Sequence, residues 1–253
     1  MLIVKHKKFI LTIANVYYAD ANYINIPEAD IVFYRQSSLY RKGSKEFKTL
    51  HSNLLQDKKT FLSNMNSTTR YEIKRAETKD NLKYYITNNP ASEEIDSFVQ
   101  FYTVFAQSKG LAYSERNKMK INLTMFLNAK SLYISFIKQE TPLCYHVYLC
   151  DDKRVRLLMS ASHHLNIQDS IRRALIGRGN RYLHWMDIKY FKEAGFFVYD
   201  WGGLGDESDP VLKRINDFKR GFGGNEVIEY HSVEGITILG KLAVMYLKKR
   251  DKV

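Results

Sequence analysis

The stretch Gly177-Arg178-Gly179-Asn180 carries residue types and spacing that bear directly on chemistry. Glycines leave backbone N–H groups accessible, and the first turn of a helix leaves several without partners. A glycine loop that opens a helix therefore makes a cradle for phosphate or pyrophosphate. Arg178 and Arg181 stand at the same opening. There guanidinium groups can pair with phosphate oxygens in a bidentate manner; ordinary surface arginines are the competing account. His184 follows Asn180 by four residues and shares its helix face, which suits either the lining of a binding site or a packing contact. Cys144 and Cys150 have the same parity on one apolar run and read as core, not as nucleophiles. No metal site is expected: a set of His163, His164 and Asp187 rests on residue type alone, without ligand spacing.

The composition bounds what these residues can serve. With 253 residues, 45% of them hydrophobic, the chain has ample material for a packed core. The formal charge of +12 implies an anionic partner. Its basic residues are scattered in clusters: Lys5, Lys7 and Lys8; Arg41, Lys42, Lys45 and Lys48; Arg172, Arg173, Arg178 and Arg181; Lys248, Lys249 and Arg250. No nucleic-acid-binding motif accompanies them. No apolar run approaches the roughly 20 residues that span a bilayer. The N-terminal segment lacks a small-residue cleavage site and reads as a strand from Phe9 to Val16. Two cysteines make no disulfide framework, so a cytoplasmic setting is expected.

The elements that must position the chemistry follow from periodicity and punctuation. Ile31–Tyr34 and Phe47–Leu50 read as short strands. Asp57 caps a helix carrying Phe61, Leu62 and Met65; Thr69 with Glu72 forms a capping box for a helix from Arg70 to Ala76; Leu82–Thr87 is a strand. A helix runs behind a capping Ser92 to Gly110, and another starts at Ser114. Three strands follow, Leu132–Lys138, Leu143–Cys150 and Val155–Ser162, with connections short enough to demand antiparallel hairpins. Then come a helix over Asn180–Ala194, a strand Phe196–Trp201, a helix Pro210–Arg220 and a strand Val227–His231. The last segment places Ile238, Leu239, Leu242, Ala243, Tyr246 and Leu247 beside Lys241, Lys248, Lys249 and Arg250, a basic amphipathic helix. It suits docking on its own core or peripheral contact with an anionic membrane.

In this order of elements the chain resembles the GNAT superfamily of acyl-CoA N-acyltransferases, and more narrowly its Fem-type (FemAB-like) branch. Four stretches carry the resemblance: Thr69–Ala76, like that branch's arginine-rich helix; Asn180–Trp185, like its central helix; Tyr199–Gly203, like the following strand and turn; and Phe218–Gly223, like its FK-x-x-F signature. The resemblance implies an α/β (α+β) fold with a GNAT-like, mixed, mostly antiparallel central sheet flanked by helices. Residues 1–90 would form an N-terminal β/α extension, a partial Fem-type half-domain, and residues 91–253 the acyltransferase core.

It also implies a site. Classical GNAT enzymes bind the CoA pyrophosphate with Arg or Gln, two free residues and Gly-x-Gly; Gly177 and Gly179 fit, and Ala174 stands where the Arg or Gln would be. In the Fem-type branch the donor is an aminoacyl-tRNA, and the signature lysine, here Lys219, stabilises the carbonyl oxygen during transfer. Acceptors in this fold bind where neighbouring strands splay, which makes Asp200 a candidate base with a raised pKa, or else a cap for the turn after it. His163 and His164, at the end of a strand, are further candidate bases, and solvated or hydrogen-bonded strand-end histidines otherwise. His184, Tyr199 and Trp201 would line the substrate. The expected activity is transfer of an acyl group, acetyl first, from acyl-CoA to an amino group of a nucleotide- or lipid-linked sugar in bacterial surface polysaccharide biosynthesis. The setting would be the cytoplasm or the inner face of its membrane. The alternatives are a Fem-type transferase using aminoacyl-tRNA and a cell-wall precursor, and a non-catalytic domain that binds an anionic glycan or partner.

Overall fold

A computed structural model describes residues 1–20, 26, 28–110, 115–163 and 169–249. The chain opens with β1 (Leu2–Lys8), β2 (Leu11–Tyr17), β3 (Ile31–Ser37) and β4 (Lys45–Asn53), then α1 (Lys58–Asn64), α2 (Ser67–Lys79) and β5 (Lys83–Thr87). It continues through α3 (Ser92–Ser108), α4 (Arg116–Asn128), β6 (Leu132–Lys138), β7 (Pro142–Cys150) and β8 (Arg154–Ser162). The final elements are α5 (Ser170–Glu193), β9 (Val198–Gly203), α6 (Pro210–Arg220), β10 (Asn225–Gly235) and α7 (Ile238–Lys249). Contacts divide them into two units, one of Met1–Thr49, Gly203–Gly205 and Glu226–Val253, the other of Leu50–Gly202 and Asp206–Asn225. β10 and α7 thus belong with the opening strands.

In the first unit β1 and β2 form an antiparallel hairpin in continuous register from Leu2–Tyr17 to Lys8–Leu11. Phe9 turns it with φ of 55°, so the expected strand from Phe9 starts instead at Leu11, and β1 was not anticipated. β2 runs parallel to β3, Ile13 beside Ile31, and β3 runs antiparallel to β10, Ile31 beside Gly235. One face buries Ala14, Val16, Val32 and Tyr34. The other buries Ile13 and Ile31 beneath Val244 of α7. The Asp30 carboxylate ties the three strands together, accepting the Thr12 N–H at 2.8 Å and the Thr237 hydroxyl at 2.7 Å. α7 approaches this junction at Gly240, where a Cβ would lie 1.9 Å from the Asp30 carbonyl oxygen; only glycine fits.

The second unit is built around the expected meander. β5, β6, β7 and β8 pair antiparallel in that order, and Asp151 closes the β7–β8 turn by accepting the N–H groups of Lys153 and Arg154. Nearly every residue of β7 is buried because helices cover both faces. On one side Ile95, Phe98 and Val99 of α3, with Met119 and Leu123 of α4, pack on Leu132, Ile134, Tyr145 and Val147. On the other, Ile176 and Leu183 of α5 pack on Ile137, Leu143 and Cys144. Cys144 and Cys150 are buried free thiols, and burial pushes the Cys150 thiol up to about 12, consistent with packing.

Local chemistry sets the helix starts. Asp57 accepts the Thr60 N–H at 2.8 Å, as its position promised. Asn66, not Thr69, caps α2, accepting the Thr69 N–H at 2.7 Å. Glu94 accepts the Ala91 N–H ahead of α3. Asp209 caps α6 in front of Pro210. The expected start of α4 at Ser114 lies outside the described residues.

Candidate active site

The glycines of α5 do not open it. Asp169 caps the helix, accepting the Ile171 N–H at 2.8 Å, and the helix runs 24 residues to Glu193. Gly177, Arg178, Gly179, Asn180 and Arg181 are therefore interior, with their backbone N–H groups inside the helical ladder. This corrects the phosphate cradle: a mid-helix turn has no spare donors to offer. Arg178 instead grips Asp80 with two hydrogen bonds, of 2.7 and 3.0 Å, and Arg181 lies 2.8 Å from Glu72, clasping α5 to the end and middle of α2. Gly179 faces β6, where a Cβ would meet the Ile137 side chain at 2.7 Å. That contact, not a ligand, accounts for the small residue.

Below those turns α5 presents Asn180, His184 and Asp187 to the sheet, and a chain of buried polar groups meets them. Asp187 accepts hydrogen bonds from the hydroxyls of Tyr84 (3.0 Å) and Tyr148 (2.6 Å) and from Nδ1 of His146 (2.8 Å). Because the Tyr148 proton goes to Asp187, its oxygen accepts from Tyr199, 2.7 Å away. The Tyr199 oxygen in turn accepts from Nδ1 of His184 at 2.8 Å. The sequence of donors fixes the tautomer of His184: Nδ1 carries the proton and Nε2 is the basic nitrogen. Burial, with the positive fields of His146, Lys219 and Arg181, holds its pKa well below the usual histidine range, so the ring is neutral. Nε2 of His146 faces the Asn180 side chain at 3.1 Å. Burial and the Asp187 charge push the hydroxyls of Tyr84, Tyr148 and Tyr199 upward, so they remain donors.

Asp200 sits at the end of the short parallel ladder between β8 and β9, which pairs Arg154 with Val198, Val155 with Tyr199 and Arg156 with Asp200. Its Oδ2 receives Nε and Nη2 of Arg154 at 3.1 and 2.5 Å, and its Oδ1 accepts the Gly202 N–H at 2.9 Å. Gly202, at φ of 71°, abuts the Leu157 carbonyl, where a Cβ would come within 2.9 Å. Burial alone would raise the Asp200 pKa, but Arg154, His51 and Arg156 outweigh it and hold the carboxyl far below its usual range. The expectation of a raised pKa is thus overturned; Asp200 is a fixed anion that also closes the turn after it.

Lys219 stands half-buried in the last turn of α6, and desolvation brings its pKa down to about 8, opposed by Asp200 and assisted by Arg156. Around it the last turn of α6 packs aromatic rings on the buried chain. Phe218 and Phe222 lie 5.6 and 5.4 Å from the His184 ring, and Trp201 lies 4.8 Å from it. The Trp201 indole N–H donates to Ser52 at 2.9 Å. The structure therefore gathers Asp200, Lys219, His184, Tyr199 and Trp201 in one neighbourhood. His163 is placed elsewhere: it stacks on Phe101 of α3 at 3.7 Å and donates Nε2–H to the Phe101 carbonyl. His164 lies outside the described residues.

Sequence reasoning missed His146, Tyr148, Tyr84 and Arg154. The signal for the first two was present: both share the parity of Cys144 and Cys150 on a strand otherwise apolar throughout, and a polar side chain there must find a buried partner. Asp187, three residues past His184 on the same helix face, is that partner.

No family model matches the chain, and no curated protein matches it. Solved structures do. FemX superposes with a TM-score of 0.65 at 10% identity, covering 97% of this chain and 85% of that one. The C-terminal domain of a protein described as a lysylphosphatidylglycerol synthetase, from Agrobacterium fabrum, superposes with a TM-score of 0.54 at 15% identity, covering 96% and 83%. At such identities the likeness concerns the fold. The chain has the GNAT-like, Fem-type α+β fold, a large mostly antiparallel sheet flanked by helices.

Proposed function

We propose that the chain is an acyltransferase of Fem-type chemistry, moving an aminoacyl group from the ester of a charged tRNA to an amine of a cell-envelope precursor. The observation that carries this reading is Lys219, a half-buried ammonium with a pKa near 8 in the field of the buried Asp200 anion, next in sequence to Phe218, which packs on the His184 ring. Attack of a neutral amine on an ester carbonyl forms a tetrahedral oxyanion. A cation aimed at that oxygen in a site of reduced water access stabilises the transition state. The C–O bond then breaks, and the ribose hydroxyl leaves with the proton that the amine releases.

In this scheme Lys219 donates to the oxyanion and Asp200 keeps the ammonium charged against desolvation. The chain from His184 through Tyr199 and Tyr148 to Asp187 positions the ring behind Phe218. Acetyl-CoA is the less favoured donor because the glycine cradle that pointed to a pyrophosphate is helix interior. A synthetase named for lysylphosphatidylglycerol among the fold relatives agrees with an aminoacyl donor.

The test incubates the full chain with a mixture of radiolabelled aminoacyl-tRNAs and lipid-linked cell-wall precursors, and with acetyl-CoA in parallel. Consumption of one aminoacyl-tRNA by the parent chain and its loss in Lys219→Ala are expected. Consumption of acetyl-CoA alone would establish the acetyltransferase reading. Failure to consume either, with function in cells unaffected by Lys219→Ala, would establish a binding domain.

A further inference from the structure

The first unit turns large apolar side chains outward at one end of its sheet. α7 docks through Gly240 and Val244. On the opposite side of the same helix Ile238, Leu242 and Met245 recur at i, i+4 and i+7, 79, 58 and 60% exposed. Tyr246 and Leu239 widen this stripe on one flank, Lys241 and Lys248 border the other, and Lys249 stands at its end. The usual amphipathic arrangement is thus inverted: the apolar stripe faces away from the protein.

A second element projects from the same end. The β1–β2 turn carries Phe9 and Ile10, 92 and 82% exposed, directly after Lys7 and Lys8. Ile13 pairs with Ile31 and Ile31 with Gly235, so the turn that precedes β2 and the entry to α7 after β10 leave the sheet at the same end, on either side of β3. Leu11 packs in the same cluster as Ala243 and Val244.

We propose that this end of the unit is a docking surface for an anionic lipid bilayer. Phe9, Ile10, Ile238, Leu242 and Met245 would enter the boundary between headgroups and acyl chains, and Lys7, Lys8, Lys241, Lys248 and Lys249 would lie at the phosphates. Charge selects this occupant. A nucleic acid supplies anions but no apolar medium for five large hydrocarbon side chains. A second copy of the chain supplies the apolar surface but brings its own lysines against these, a like-charge juxtaposition that opposes association. No helix among the described residues is long and apolar enough to cross a membrane, so the contact is peripheral. The surface shares no residue with the site around Lys219, and its test reads binding alone.

Flotation of the full chain with vesicles decides the matter. The chain rises with phosphatidylcholine mixed equally with phosphatidylglycerol, rises much less with phosphatidylcholine alone, and is released by salt. Leu242→Glu with Met245→Glu, and separately Phe9→Ser with Ile10→Ser, abolish flotation while the melting temperature is kept. Each of Lys241→Ala and Lys248→Ala weakens binding roughly fivefold. Absence of flotation with the mixed vesicles, or flotation of the folded apolar variants equal to that of the parent, would overturn the proposal. So would a dimer that Leu242→Glu dissociates in the absence of lipid.

Discussion

Nδ1 of His184 donates to the hydroxyl of Tyr199 across 2.8 Å, the last of a run of hydrogen bonds whose direction is set from its far end by Asp187. With Asp187 an obligate acceptor, Tyr148 gives it a proton, Tyr199 gives one to Tyr148, and His184 must give Nδ1–H to Tyr199. The imidazole has a single tautomer, held by a run of buried hydroxyls that ends on a carboxylate.

Tyr199→Phe breaks that chain in the middle. It leaves a buried N–H on His184 without its acceptor and deprives Tyr148 of its donor, a loss of about 1–3 kcal/mol in stability. Transfer activity is expected to fall at least about tenfold, as positioning residues of a reacting group do when freed. Histidine NMR gives the separate readout: in the parent chain the His184 ring does not titrate between about pH 5 and 8, because its pKa lies well below that range. A ring that titrates normally there would contradict the assigned network.

Asp200→Asn removes the counter-charge of Arg154, itself buried. Breaking one partner of such a pair destabilises by about 3–5 kcal/mol, since the other charge stays behind in low dielectric. Chemical denaturation of Asp200→Asn should show that loss, and Arg154→Met added to it should recover much of the stability. A large activity loss with stability intact would instead mark Asp200 as a proton acceptor, against the depressed pKa described above.

Much of this frame is written locally in the chain. The β6–β8 meander follows from short connections and apolar runs, and Asp57, Gly110, Gly195 and Pro210 mark helix ends through backbone chemistry that needs no distant partner. Asp200 and Lys219 were legible through resemblance and do converge. What stayed hidden depends on contacts remote in sequence. Gly177 and Gly179 read as a loop because glycine weakens helices, yet α5 passes through them, held by Asp80 and Glu72 about a hundred residues earlier. His146 gains meaning from Asp187, and the Asp200 pKa from Arg154, His51 and Arg156, which together reverse the effect of burial.

The interior position of the glycines makes opposite forecasts for two neighbouring substitutions. Beside Gly177 nothing lies within 4 Å of a new Cβ, so Gly177→Ala should stabilise by about 0.5–1 kcal/mol through helix propensity alone. At Gly179 the methyl meets Ile137, a fully buried side chain. Overpacking costs about 1–3 kcal/mol there, so Gly179→Ala should fall below Gly177→Ala by at least about 1 kcal/mol. Paired thermal melts check this; destabilisation by Gly177→Ala would restore the loop.

Lys219 links stability to catalysis through its pKa. The folded state lowers it from 10.5 to about 8, burial being the main cause. Because the native protein binds this proton less tightly than the unfolded chain, the penalty is complete below pH 8 and lifts as pH rises towards the unfolded value. Lys219→Met should therefore melt higher than the parent at neutral pH, by on the order of 2 kcal/mol, with the gap narrowing as the pH passes about 8. Activity should show the same titration in the opposite sense. If the ammonium stabilises the oxyanion, the rate falls as pH rises through about 8. Lys219→Arg, which stays protonated, should lose that descending limb even where its absolute rate is low. A parent profile that instead rises through pH 8 and flattens in Lys219→Arg would assign the lysine to proton removal from the amine.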